Sequence, residues 1–177
     1  MLAARGLDRI SIDEIARKAG ISRGLLFHYF PSKSEFALEI VRHSSNELLE
    51  CTRPQPGLPP LEMLRDSMRR YLEYVVDNRD GYIALIRGMS TADADMRAVI
   101  EDNRSQLSAR ITEHLPTVDI DPAVLDLAIR GWIAFVEEIT ISWLQRPTVT
   151  EEQLLDLYVD ALAGVSIVSV TKGAAGA

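Results

Sequence analysis

The chain has 177 residues, 47% of them apolar, with 19 Lys and Arg against 26 Asp and Glu for a formal net charge of −7. At about 150 residues per domain this length implies one domain, or a small module fused to a larger one, and the apolar fraction excludes a disordered tail protein. No apolar run reaches the ~18 residues of a membrane span, MLAARGLDR offers no signal-peptide stretch, and the single cysteine, Cys51, can make neither an intrachain disulfide nor a cysteine-based zinc site.

These exclusions lead us to expect a cytoplasmic protein with no membrane partner, no metal site and no cofactor. Taken in chain order, the predicted elements are all helical. Ser11-Ile12-Asp13-Glu14 is a capping box, and Ile12, Ile15, Ala16 and Ala19 follow at helical spacing until Gly20. Gly20-Ile21-Ser22 supplies a tight turn and a new N-cap, and the next helix carries Leu25, Leu26, Phe27, Tyr29 and Phe30 until Pro31 stops it. Ser32-Lys33-Ser34-Glu35 is a second capping box, opening a helix to about Glu50. Two short helices joined by a Gly-containing turn have helix-turn-helix geometry, whose second helix can enter a DNA major groove.

Charge supports that expectation once it is read by segment. Residues 1–50 hold seven Lys and Arg and seven Asp and Glu, so the remaining 127 carry the whole excess of acid. From Ile15 to Ser34 the cations Arg17, Lys18, Arg23 and Lys33 occur with no acid between them. A basic face on an acidic body lets a DNA-reading module sit on a domain that would repel phosphate, although a solvated helix face with chance clustering gives the same count.

The run SIDEIARKAGISRGLLFHYFPSKSEF, Ser11 to Phe36, resembles the DNA-binding signature of the TetR family of bacterial transcriptional repressors nearly position by position over 26 contiguous residues. Ser11 and Ser22 cap helix N-termini, where unpaired N–H groups and the dipole suit a phosphate oxygen. Arg23, in the first turn of the recognition helix, can meet guanine O6 and N7 together, and Gly24 permits close approach to DNA. His28, Tyr29 and Lys33 occupy positions where the resemblance implies phosphate or base contact, and Arg17 adds to the basic face. Arg23, Leu25 and His28 are the expected sequence readers, Leu26 and Phe30 are expected in the core, and Tyr29 fits either a core or a phosphate role. Many relatives have Thr where Leu25 stands and Tyr where Phe27 stands. Leu25 can instead pack on a thymine methyl, and Phe27 is expected to be buried. The family's first helix usually spans several turns before the glycine equivalent to Gly6, so the expectation is that this chain lacks residues before Met1.

Beyond residue 50, Cys51 to Pro60 holds four of the eight prolines and reads as a non-helical linker between domain 1–50 and domain 61–177. Helices are predicted over Leu61–Asn78, Gly81–Met89 and Asp93–Leu115. Asp121 as N-cap with Pro122 after it starts another to Gln145, and the capping box Thr150 to Gln153 starts a last one to about Thr171, with the final GAAGA frayed.

The two last helices are apolar on more than one side. Ala128, Gly131, Phe135, Glu138 and Ser142 form a mostly small stripe beside bulky Leu125, Ile129, Trp132, Val136, Ile139 and Trp143. Ala161, Gly164 and Val168 accompany Leu155, Leu162, Val165 and Ile167. Burial on two sides calls for a second copy, and the resemblance implies the same: a homodimer through the final two helices of each subunit. An apolar pocket for a small-molecule effector is expected to draw on Tyr71, Tyr74, Tyr82, Ile86, Met89, Met96, Trp132, Phe135 and Trp143, although such a stripe is more often core. Glu137 and Glu138, in an apolar stretch, are expected to be exposed or interfacial. A buried carboxylate there would call for Arg87, Arg130 or a ligand cation.

No catalytic residues are expected, because H-E-x-x-H, G-x-S-x-G and phosphate-loop motifs are missing and one of the three histidines, His28, is already placed on the recognition helix. A helical carrier of small molecules with a vestigial helix-turn-helix is the alternative to a ligand-responsive repressor on a palindromic operator. Salt-dependent, sequence-specific DNA binding separates the two.

Overall fold

The computed structural model describes residues 12–88, 94–115 and 120–174, which form eight α-helices with no strand among the described residues. Helix α1 spans Ile12–Ala19 and α2 spans Arg23–Tyr29. Gly20 turns the chain between them with φ at 68°, in the left-handed region that a Cβ disfavours. The Gly20 N–H donates to the Arg17 carbonyl at 3.3 Å and the Ile21 N–H to the Ala16 carbonyl at 3.0 Å, the two bonds of a Schellman stop. Ile21 then packs with Phe30, Phe36 and Ile40 on buried Ala16 and Leu26, so the residues that end α1 also build the small core beneath α2.

Helix α3, Lys33–Cys51, starts where Ser32 Oγ accepts from the Glu35 N–H at 3.1 Å. After the Pro-rich segment come α4 (Pro60–Asp77), α5 (Arg79–Gly88), α6 (Ala94–His114), α7 (Pro122–Gln145) and α8 (Glu151–Ala174). The caps expected at Asp121 and Thr150 are formed, whereas the capping box that starts at Ser11 lies outside the described residues. Asp121 accepts from the N–H groups of Ala123 and Val124 at 2.8 and 3.4 Å. Thr150 Oγ1 accepts from the Gln153 N–H at 3.2 Å while Gln153 Oε1 accepts from the Thr150 N–H at 3.0 Å. Helix α8 continues three residues past the expected end at Thr171.

By packing, residues 1–47 with 78–101 make one compact unit and residues 48–77 with 102–177 a second. The Pro-rich segment thus falls inside the second unit, because the end of α3 is tied into it. Arg70 of α4 donates to the Cys51 carbonyl at 2.8 Å, and Arg110 of α6 to the Leu49 carbonyl at 2.6 Å. Both carbonyls belong to the last turn of α3, where no intrahelical donor remains. In the first unit a further cluster of Ala37, Val41, Met96 and Ile100 is flanked by Leu38, Leu85 and Val99.

The core of the second unit is built where α8 packs against α4 and α7, around Leu72, Val75, Ile129, Ile141, Leu154, Leu155 and Tyr158. Each such side chain contributes about 1.5 to 3 kcal/mol by leaving water. A polar knot lies inside it. Thr140 Oγ1 donates to the Val136 carbonyl at 2.6 Å, so its lone pairs accept from Tyr71 and Tyr158 hydroxyls at 2.9 and 2.7 Å. Burial pushes the Tyr158 phenol up to about 12. On the surface Arg65 joins α4 to α8 through Glu152 and Asp156, each at 2.6 Å, and with Arg69 holds the Glu152 carboxyl below the usual carboxylate range.

Glu137 departs from its expected exposure. Its side chain is 16% exposed, and its partner is Arg104 of α6 rather than Arg87, Arg130 or a ligand cation. Arg130 is occupied elsewhere, with Asp126 and Ser105. Glu138 is exposed, as expected.

Candidate nucleic-acid interface

Helix α2 presents one face to its core and the rest to solvent. Leu26 points inward at 5% exposure, and Phe30 is half-buried against it. Around the other side Arg23, Gly24, Leu25, His28 and Tyr29 are exposed. Tyr29, at 67%, is therefore a surface residue and not a core one. Ser22 caps the helix by accepting from the Leu25 N–H at 3.1 Å, which fixes the direction in which Arg23 leaves the first turn. A Cβ added at Gly24 would meet, among the described residues, only the Ser22 hydroxyl, at 3.9 Å.

Arg23 is more ordered than its exposure suggests. Its Nη1 donates to both carboxylate oxygens of Asp13 on α1, at 3.0 and 3.3 Å, and its Cζ lies 5.4 Å from the centre of the Phe27 ring. Phe27 is consequently half-buried rather than buried, since one face of its ring carries the guanidinium. His28 and Tyr29 meet edge to face at 5.7 Å. Arg17 is exposed on α1, and Lys33 is half-buried at the start of α3. Ser11 lies outside the described residues. Asp13 is the residue that sequence reasoning missed; its position in the first turn of α1 announced a helix start and concealed a partner ten residues away.

The described pocket candidates are divided between the two units. Tyr82 and Met96 are buried and Ile86 half-buried in the first unit, while Tyr71 and Trp132 are buried and Tyr74, Phe135 and Trp143 half-buried in the second. Met89 lies outside the described residues. The polar tips of the buried pair are satisfied, Tyr71 by Thr140 and Trp132 Nε1 by the Tyr158 carbonyl at 2.9 Å. Trp143 Nε1 donates to the Val149 carbonyl at 2.8 Å. An open cleft of about 530 Å³ does occur in the second unit, between α6 and the start of α7, lined by Ser105, Ser108, Thr112, Asp126 and Arg130 among others. None of the nine candidates lines it.

Of the expected interface residues, Gly131, Glu138 and Ser142 are exposed on α7, with Ala128 and Phe135 half-buried beside them. Val124 and Leu127, at 54% and 70% exposure, extend that face toward the start of α7. On α8, Ala161 and Gly164 are half-buried and Leu157 is 43% exposed. The side chain of Val168 lies outside the described set. Among the described residues no group of His, Cys, Asp and Glu could hold a metal, and no helix is long and apolar enough to cross a membrane.

Residues 1–40 match the family described as bacterial regulatory proteins, tetR family, and residues 60–165 match the tetracyclin repressor-like carboxy-terminal domain. The chain is similar to the crystal structure of a tetR-family transcriptional regulator from Streptomyces coelicolor, with a TM-score of 0.87, 30% identity, and coverage of 97% of this chain and 77% of that one. It shares its fold with BioQ, solved with its natural double-stranded DNA operator (TM-score 0.62, 20% identity, 92% of this chain and 91% of that one). The same holds for the TetR-family repressor FadR of Thermus thermophilus, solved with lauroyl-CoA (TM-score 0.57, 22% identity, 90% and 86%).

Proposed function

Because the chain belongs to the TetR family of bacterial transcriptional regulators, we propose that it is a non-catalytic, cytoplasmic repressor that binds a palindromic operator as a homodimer and releases it on binding a small molecule. Residues 1–50 serve DNA reading, and residues 61–177 serve dimerisation and effector binding. The observation that carries the reading is α2 itself, a seven-residue helix capped by Ser22 with Arg23, Gly24, Leu25, His28 and Tyr29 turned to solvent. Arg23, Leu25 and His28 read bases, whereas Arg17, Ser22, Tyr29 and Lys33 set register on phosphates.

The face of α7 that runs through Leu127 and Gly131, which no described residue covers, supports the dimer. Two copies joined there can hold their recognition helices about 34 to 36 Å apart, as successive major grooves require. The effector is apolar or amphipathic, and half-buried Tyr74, Ile86, Phe135 and Trp143 are the described candidates that a ligand can reach without dismantling the core. FadR's complex with lauroyl-CoA supports an effector of that kind, and BioQ's complex with its operator supports the DNA partner.

Selection of bound duplexes from a random DNA pool tests the reading. Recovery of an inverted repeat, with affinity that falls steeply as salt rises, is expected. Recovery of no sequence would favour the carrier alternative. A screen of acyl, aromatic and cationic compounds, read by Trp132 and Trp143 fluorescence and by operator affinity, tests the effector.

A further inference from the structure

We propose that Asp13 is a specificity-determining residue that positions Arg23 to read one base pair in each half-site, an inference that rests on the DNA-binding function proposed above. The guanidinium of Arg23 is held at two places: Nη1 on the Asp13 carboxylate at 3.0 and 3.3 Å, and Cζ over the Phe27 ring, 5.4 Å from its centre. A guanidinium is planar and its five N–H groups keep fixed directions, so a carboxylate on Nη1 and an aromatic face beneath it set its rotation. Asp13 does not use the Nε–Nη2 edge. That edge carries two parallel N–H donors, the pattern that guanine O6 and N7 accept. Ordering the side chain before DNA arrives lowers the cost of forming those two bonds, a benefit realised only where guanine stands in the right place.

The carboxylate also acts on every other sequence. Asp13 is 68% exposed, so it brings a negative charge to the surface that approaches phosphates. Wherever Arg23 finds no guanine, that charge opposes binding without compensation. Asp13 therefore favours the correct site twice, by orienting the reader and by weakening binding to the wrong sites. Its part in stability is small, because an ion pair this exposed contributes little to folding.

The experiment uses the full chain as wild type, Arg23→Ala, Asp13→Asn and the double variant. The probes are the duplex that wild type recovers from a random pool, its single-base variants and a duplex of random sequence. Arg23→Ala identifies the base pair that Arg23 reads. We expect Asp13→Asn to lose about five- to tenfold of the preference at that same base pair, to bind random-sequence duplex no more weakly than wild type, and to melt at the wild-type temperature. The double variant should show no further loss of preference beyond Arg23→Ala. Full retention of the preference in Asp13→Asn, an equal loss at every position, or additive losses in the double variant would each overturn the proposal. Asp13→Ser, which also removes the carboxylate, repeats the test if the Asn side chain rebuilds the contact or perturbs α1. Failure of wild type to recover any sequence would overturn the DNA-binding function itself, and this inference with it.

Discussion

Glu137 on α7 accepts two N–H bonds from Arg104 on α6, at 3.1 and 2.5 Å, and the paired side chains are only 16% and 25% exposed. A charge so far from water is tolerable only while its partner stays in place, so the pair matters most when half of it is removed. Arg104→Ala and Glu137→Ala should each destabilise the protein by about 1 to 3 kcal/mol, less than for a fully buried pair because some water reaches both groups. The double variant should lose clearly less than the sum. Urea unfolding of all three checks this, and simple additivity would show that the pair is not coupled.

The knot around Thr140 makes two connected statements about stability. Thr140→Val keeps the volume and leaves both the Tyr71 and Tyr158 hydroxyls without their acceptor, at a cost of about 2 to 4 kcal/mol. Tyr158, held up to about 12 against an ordinary 10.0, binds its proton more tightly folded than unfolded. The stability linked to that shift is fully present below pH 10 and is lost as pH rises through 12, a loss on the order of 2 kcal/mol. Denaturation followed at pH 9 and pH 11.5 should show a smaller alkaline loss in Tyr158→Phe than in wild type.

On DNA, Arg23 and Lys33 should fail differently. Arg23→Ala should cost about 1 to 3 kcal/mol on the operator and relax preference at one base pair per half-site. Lys33→Ala should weaken all sequences alike and flatten the slope of log K against log salt by about one per half-site. Equal effects of both substitutions on operator and random duplex would refute this division of roles.

Gly131 separates assembly from folding. It is exposed, and a Cβ built there meets nothing within 4 Å, so an arginine fits within one protomer. Gly131→Arg should keep the wild-type circular dichroism yet sediment as a monomer at micromolar concentration, because helices that pack about 8 to 10 Å apart cannot admit that side chain between them. A variant that remains dimeric would place the interface elsewhere.

Elements set by local chemistry were legible in the sequence, and elements set by distant partners were not. Asp121 with Pro122, Thr150 with Gln153, and Gly20 each act within one helical turn, and all three behave as read. The exposed face of α2 was legible for the same reason, since its seven residues follow one helical period. Asp13 and Arg23, by contrast, meet across a turn, Arg104 and Glu137 lie 33 positions apart, and Tyr71 reaches Thr140 across 69. A lone hydroxyl on the apolar stripe of α7 was the one available sign of the knot. Phe27 was misjudged because an apolar ring can be covered by a cation as well as by a core.

Of the three divisions between the two packed units, those at residues 47/48 and 101/102 fall within unbroken helices, α3 and α6, and the one at 77/78 falls between α4 and α5. Arg70 and Arg110 hold two of the last carbonyls of α3, a 19-residue helix about 28 Å long. In mechanical terms the two guanidiniums are bolts on the end of α3, so Arg70→Ala or Arg110→Ala should loosen its last turn, which faster amide hydrogen exchange there would show.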